Sequence, residues 1–278
     1  MNVFKQKERE FALQRVDMLR ERFPEAGELL SFLKGVLEFQ SQVIEELQEK
    51  DSLFDVSSAL SRIDKGKPAL RLRELDWTAY FPLLRRVLDV FSDIGTEEIK
   101  TGVEGFAKLS DEEIKGRLNS FLESRGVDEV ERLIFLSWLQ PVLHTFADRI
   151  EFNHEKWLKN VCPVCGSKPS VSFLMDTSEW EGARFLRCSL CLTDWLYERT
   201  KCTACGNNED DKLSYYTSEE VKHIEIQVCN LCNHYIKNVD MRKDGLAVPD
   251  VDDVATVALD LWAGEQGYLK VERNLLGL

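Results

Sequence analysis

Four Cys-x-x-Cys pairs stand in the second half of the chain: Cys162/Cys165, Cys188/Cys191, Cys202/Cys205 and Cys229/Cys232. They use all eight cysteines, and none precedes residue 162. Such a pair can hold a metal, shuttle electrons as a dithiol or close a small disulfide loop. The spacing is informative. Cys162 to Cys202 and Cys165 to Cys205 are offsets of 40 residues, and Cys188 to Cys229 and Cys191 to Cys232 are offsets of 41. One unit of about 40 residues is therefore written twice. Within each unit 22 or 23 residues separate two Cys-x-x-Cys knuckles, close to the spacing of a four-cysteine metal site.

A knuckle aims two thiolates at one metal, and two knuckles complete a tetrahedral set of four sulfurs. The repeat assigns Cys162, Cys165, Cys188 and Cys191 to one site, and Cys202, Cys205, Cys229 and Cys232 to the other. A thioredoxin-like dithiol needs its Cys-x-x-Cys to open a helix after a strand, and nothing here offers four such contexts. Tetrahedral thiolates suit iron and zinc alike. A closed four-sulfur site leaves no position for substrate, which argues against hydrolytic metal catalysis. No Ser–His–Asp pattern, phosphate loop or dinucleotide motif accompanies it, so no catalytic residue is expected. His223 and His234 lie near the fourth pair, but each unit already has four sulfurs, so both are expected outside the ligand sets.

The residue after each knuckle takes a positive φ. Gly166 and Gly206 do so freely, and Asn233 tolerates it. Leu192 does not, so the first site is expected to carry strain of ~1 kcal/mol and to release its metal first.

The elements that must position these knuckles divide the chain four ways: a helical domain over 1–159, four-cysteine modules over 160–200 and 201–248, and a C-terminal helix and tail over 249–278. Leu29, Leu33, Val36, Leu37, Val43, Ile44 and Leu47 recur at helical spacing. A second periodic segment ends at Gly95. Ser110 and Glu113 have the spacing of a capping box, with Gly126 as the matching C-terminal cap. The run "VERLIFLSWLQPVLHTFADRI" is apolar almost all round and reads as a buried helix that Pro141 bends or interrupts. His144 within it reads as a core histidine, and His154 as a linker residue. Residues 51–75 read as a connection. The runs entering the second and fourth pairs, "ARFLRC" and "HIEIQVC", read as strands. The segment "DVDDVATVALDLWAGEQG" reads as one helix with Val254, Val257, Ala258 and Leu261 on a single face. The fold class is thus multidomain: an α-helix bundle, two small metal-stabilised β modules and a closing helix. Units this small fold by binding metal.

A formal charge of −13 repels a phosphate backbone, and residues 160–245 carry ten Lys or Arg against thirteen Asp or Glu. Nucleic acid is therefore not an expected partner. No apolar run approaches the roughly 18–20 residues of a membrane span, and the first residues lack the apolar core of a signal peptide. The expectation is a cytoplasmic chain without membrane insertion, whose thiols stay reduced. Its oligomeric state is open, a homodimer included.

The stretches "CPVCGSKPSVSFL", "GARFLRCSLCLTDWLYERTKCTACG", "QVCNLCNHYIKNVDMRKDG" and "PDVDDVATVALDLWAGEQGY" resemble, in this order, the formate dehydrogenase accessory protein family, FdhE. The likeness spans residues 161–268 and joins the four pairs to Trp195, Arg199, Tyr235, Lys237, Asp252 and Asp253. It implies a helical N-terminal domain, two rubredoxin-like modules and a C-terminal helix. It also implies iron at the eight cysteines and engagement, in the cytoplasm, of the catalytic subunit of formate dehydrogenase without turnover. A rubredoxin-like electron-transfer protein is the alternative.

Overall fold

The computed structural model describes residues 7–48, 56–123 and 125–278. Its N-terminal part is helical: α1 (Lys7–Arg22), α2 (Gly27–Gln48), α3 (Val56–Asp64), α4 (Phe81–Ile94), α5 (Glu97–Ala107), α6 (Asp111–Leu122) and α7 (Glu129–Ala147). The local signals explain most of the boundaries. Gly95 closes α4 by donating to the Phe91 carbonyl. Ser110 and Glu113 form a reciprocal capping box at the start of α6. α6 ends on Glu123 rather than reaching Gly126. α3 occupies ground expected to be a plain connection, of which residues 51–55 lie outside the described chain.

α7 is the axis of the bundle. Its side chains are buried almost without interruption from Glu131 to Ala147, and it packs on α2, α4, α5 and α6. Pro141 does not end it, and Thr145 caps the Pro141 carbonyl with its hydroxyl at 2.6 Å. Trp138 sits edge-on to Trp77 and Phe81, with ring centroids 5.9 and 6.4 Å away.

The C-terminal part holds one sheet: β1 (Pro169–Met175), β2 (Ala183–Cys188), β3 (Asp194–Leu196), β4 (Leu213–Thr217), β5 (Ile224–Cys229), β6 (His234–Asp240) and β7 (Leu269–Lys270). The order is β3-β2-β1-β6-β5-β4, with β7 added to β6. Each repeat contributes an antiparallel meander, and β1 and β6 join the two in parallel at Ser172↔Asn238 through Leu174↔Asp240. β6 spans seven residues whereas its repeat counterpart β3 spans three, so β6 can reach β5, β1 and β7.

The closing segment is two helices, α8 (Pro249–Ala255) and α9 (Val257–Glu265), rather than one. The break at Thr256 follows from buried Lys237, whose ammonium takes the Asp253 carbonyl at 2.5 Å and the Thr256 carbonyl and hydroxyl, both at 3.3 Å. The break rotates the apolar face. Val254 is buried, but Ala258 and Leu261 are exposed; Ala263, with Leu259 and Trp262, packs on Ile226, Val228 and Tyr235 instead.

Candidate metal centres

Each knuckle is closed by the backbone. Cys162 N–H donates to the Ser167 carbonyl at 2.8 Å and Gly166 N–H to the Cys162 carbonyl at 3.0 Å. The repeat shows the same pair, Cys202 to Asn207 at 2.8 Å and Gly206 to Cys202 at 2.9 Å. Gly166 and Gly206 lie at φ 83° and 76°, Leu192 and Asn233 at φ 58° and 56°. Leu192 and Asn233 are the only non-glycine residues with positive φ among those described. The turn geometry thus outranks residue preference at Leu192, whose side chain lines a cavity of about 240 Å³ between the helices and the first unit.

The folded chain brings all eight cysteines into two quartets, with the four sulfurs of each within 4.8 Å of one another. In the first, Cys162 and Cys191 are 3.4 Å apart and Cys165 and Cys188 are 3.3 Å apart, sulfur to sulfur. In the second, Cys202 and Cys232 are 3.7 Å apart and Cys205 and Cys229 are 3.9 Å apart. These separations are far beyond a disulfide bond of ~2.05 Å. They are close to the ~3.8 Å edge of a tetrahedron with metal–sulfur bonds of ~2.3 Å. Backbone N–H groups point at the sulfurs as a thiolate requires: Val164 to Cys162 at 3.3 Å, Leu190 to Cys188 at 3.4 Å and Ala204 to Cys202 at 3.4 Å. Each quartet can hold one metal ion.

Their electrostatics suit a cation once the thiols ionise. Burial pushes the Cys188 and Cys191 thiols well above the usual range. Burial also acts against the Cys165 thiolate, but hydrogen bonds from Cys162, Cys188, Cys191 and Ser167 outweigh it and bring Cys165 down. In the second quartet burial raises Cys202 and Cys232, whereas backbone N–H groups of Cys232 and Leu231 overcome burial to lower Cys229. Without a cation at the centre, four thiolates cannot coexist at this range.

The two centres differ in setting. Cys162, Cys188 and Cys191 have no exposed surface and Cys165 has 8%, and all four belong to the core of the helical part. Residues of the N-terminal part hold the first centre's knuckles directly. Ala69 and Leu70 donate their N–H groups, at 2.8 Å each, to the carbonyls of Pro163 and Val164. Gln140 of α7 donates to the Ser189 carbonyl at 2.8 Å and accepts from Gln40 of α2 at 3.0 Å. In the second centre Cys205 is exposed and Cys232 half-buried, and Leu231 between the ligands is exposed too. From the preceding residues Asn160 donates to the Ala204 carbonyl at 2.7 Å and the Tyr197 hydroxyl to the Cys202 carbonyl at 3.1 Å.

None of the four histidines joins a quartet. His234 Nδ1 is 2.7 Å from the Cys232 carbonyl, beside the second centre. His223 is buried elsewhere, with Nε2 2.8 Å from Asp252. His223, Asp244 and Asp252 lie close enough to ligate a metal, but Arg15 already supplies the cation. Its Nε donates to Asp252 at 3.0 Å and its Nη2 to Asp244 at 2.8 Å, which clamps α1 to α8. His144 is partly buried with Nε2 4.0 Å from Asp148, and burial lowers its pKa. His154 stacks near Phe152 and Phe185, and burial lowers its pKa also. Sequence reasoning missed Gln140, Ala69, Leu70 and Arg184 as supports. A polar residue inside the apolar run of α7 was the available signal for Gln140.

Residues 161–199 match the family model described as FdhE, central domain, and residues 200–276 match FdhE, C-terminal domain. The FdhE homolog of Aquifex aeolicus is 54% identical over 277 residues, covering all of this chain and 98% of that relative. The FdhE homolog of Haemophilus influenzae (strain KW20) is 28% identical over 242 residues, 79% of this chain and 78% of that one. The crystal structure of the FdhE protein from Pseudomonas aeruginosa shares the fold, with a TM-score of 0.77 at 22% identity over 98% of this chain and 97% of that one. By its full-length identity to the Aquifex relative and its two matched domains, the chain belongs to the FdhE family.

Proposed function

We propose that Cys162, Cys165, Cys188 and Cys191 ligate one metal ion, that Cys202, Cys205, Cys229 and Cys232 ligate a second, and that the chain is an accessory protein for assembling formate dehydrogenase. It engages the catalytic subunit of that enzyme in the cytoplasm and turns over no substrate. The observation that carries this reading is the gathering of four sulfurs of the chain itself in each quartet, enough to supply every position of a tetrahedral ion. Such a centre folds and stiffens a surface rather than binding a substrate. Membership of FdhE supplies the client, and the family likeness favours iron over zinc. When bound, the ion neutralises the thiolates and fixes the two knuckles of each unit. The chain's own residues do the rest: Gln140, Ala69 and Leu70 tie the first centre to the helices, while the second centre faces solvent.

One observation favours the electron-transfer alternative. Cys205 is exposed, so a sulfur of the second centre lies within reach of a redox partner. The deciding experiment is complementation in cells lacking the gene. Cys162→Ser and Cys202→Ser should leave the formate dehydrogenase polypeptide present but poorly active, and exposed Glu104→Gln should restore activity. Metal-free but folded variants that restore full activity would refute the link between metal and function. Normal activity in the deletion strain would refute the assembly role. Anaerobic metal analysis should give about two ions per chain.

A further inference from the structure

Arg184 is one of the most deeply buried side chains among the described residues, at 1% exposure, and no carboxylate among them hydrogen-bonds to it, although Glu225 acts on it electrostatically. It stands on β2 of the first unit, but its guanidinium points to the second. Nη1 faces three carbonyls of the linker between the units: Glu198 at 3.5 Å, Arg199 at 3.4 Å and Lys201 at 3.2 Å. Nη2 donates to Gln227 on β5 at 2.7 Å and lies 3.4 Å from the Ser172 hydroxyl, while Nε finds no partner. Lys201 immediately precedes Cys202, and the Tyr197 hydroxyl holds the Cys202 carbonyl itself at 3.1 Å. Burial lowers the Arg184 pKa to about 10, so the group stays cationic at neutral pH.

A buried cation whose hydrogen bonds all go to neutral dipoles is costly, because burial strips its hydration and such a charge is normally paired. After burial, Tyr215, Tyr197, Glu225 and Cys202 act electrostatically on Arg184; Cys202 belongs to the second quartet, one residue beyond the Lys201 carbonyl that Nη1 reaches at 3.2 Å. Four thiolates around a divalent ion carry a net charge of about −2. We propose that Arg184 is the counter-charge and positioning residue of the second metal centre, through which the folded first unit sets the metal affinity of the second. The first centre has no equivalent. The residue of β5 matching Arg184 in the repeat is Glu225, which opposes Asn238 across the sheet.

This inference rests on metal occupying both quartets, and the test separates the two ideas. Full-length protein is loaded with ¹¹³Cd²⁺ and each centre is followed by its own cadmium resonance, assigned with Cys205→Ser, under titration with a competing chelator. Wild type should show two resonances; none would overturn the metal reading itself. Arg184→Gln and Arg184→Met should lose cadmium from the second centre at about 10–100-fold lower chelator concentration, the usual effect of removing an outer partner of a metal site, with the first centre unchanged. Arg184→Lys keeps the charge but not the planar fork, and should retain most of the affinity. Equal loss from both centres, or Lys as defective as Gln and Met, would overturn the role of charge. If neither uncharged variant folds, the same titration on Tyr197→Phe with Arg184 intact should weaken the second centre less than about threefold, because the charge remains; a larger loss would overturn the proposal.

Discussion

Gly166→Ala and Gly206→Ala form a matched pair that the repeat itself provides. Both glycines close the first knuckle of a unit, at φ 83° and 76°. A left-handed backbone costs an L-residue ~1–2 kcal/mol, and the stiffer unfolded chain offsets ~0.4–1 kcal/mol of that. The backbone penalty is therefore ~1 kcal/mol at either site. The surroundings differ. A Cβ at 206 meets nothing within 4 Å, but a Cβ at 166 falls 3.1 Å from Cγ and 3.5 Å from Cβ of Pro68. The proline ring cannot swing aside, and the next two residues donate the bonds that hold Pro163 and Val164. Displacing them weakens two hydrogen bonds of ~1 kcal/mol each. Gly206→Ala should cost ~1 kcal/mol and Gly166→Ala ~2–3 kcal/mol. For a chain of this size the melting temperatures should differ by about 2–8 °C. The assay is thermal unfolding of the metal-loaded protein without oxygen, repeated in a Pro68→Ala background. There the excess cost at 166 should vanish, because the clashing Cγ is gone. An equal or larger cost at 206, or an excess that survives Pro68→Ala, would refute the clasp between the helical part and the first centre.

Chelator should empty the second centre before the first, because Cys205 is exposed while the first quartet lies in the core. This reverses the order expected from Leu192 strain alone, and release of the first centre first would mean that strain outweighs access. Gln140→Leu should destabilise the helical part by ~1–3 kcal/mol, by leaving the Ser189 carbonyl buried without a donor, while two metal ions per chain remain. Urea denaturation with metal counting checks both. Burial alone would raise the Asp253 carboxyl, but Lys237 and Lys270 hold it below the usual range. A carboxyl depressed in the folded state adds stability above its unfolded pKa of ~3.9, and that stability is lost as pH falls through the folded value. Hydrogen exchange over α8 and β7 should therefore accelerate below about pH 4 in wild type. Lys237→Met should accelerate it already at neutral pH, and exchange unchanged in the variant would refute the role of the buried pair.

The cysteine quartets were legible because the constraint is local and written twice. A Cys-x-x-Cys knuckle sets its own backbone turn, so the 40- and 41-residue offsets are enough to group Cys162, Cys165, Cys188 and Cys191 in one quartet and Cys202, Cys205, Cys229 and Cys232 in the other. Helix periodicity and the Ser110 capping box were legible for the same reason, since hydrogen bonds three or four residues apart need only nearby sequence. The break at Thr256 was not, because its cause is the Lys237 ammonium from a strand far away in the chain. A run that is helical by periodicity yields there to a buried ammonium that takes backbone carbonyls of the run alongside the Asp253 and Asp260 carboxylates.

The sequence by itself determined which sulfurs could meet a metal and that they fall into two quartets. Only the tertiary structure decided that the two centres are unlike. Near-identical motifs fold into near-identical knuckles, but one is sealed by α7 and the segment at Ala69 and Leu70, and the other is left with Cys205 in solvent. Tertiary packing also merged the repeats into one sheet through β1 and β6 and sent Arg184 from the first unit into the second. Burial and long-range electrostatics depend on what other parts of the chain bring alongside, and no local pattern encodes that.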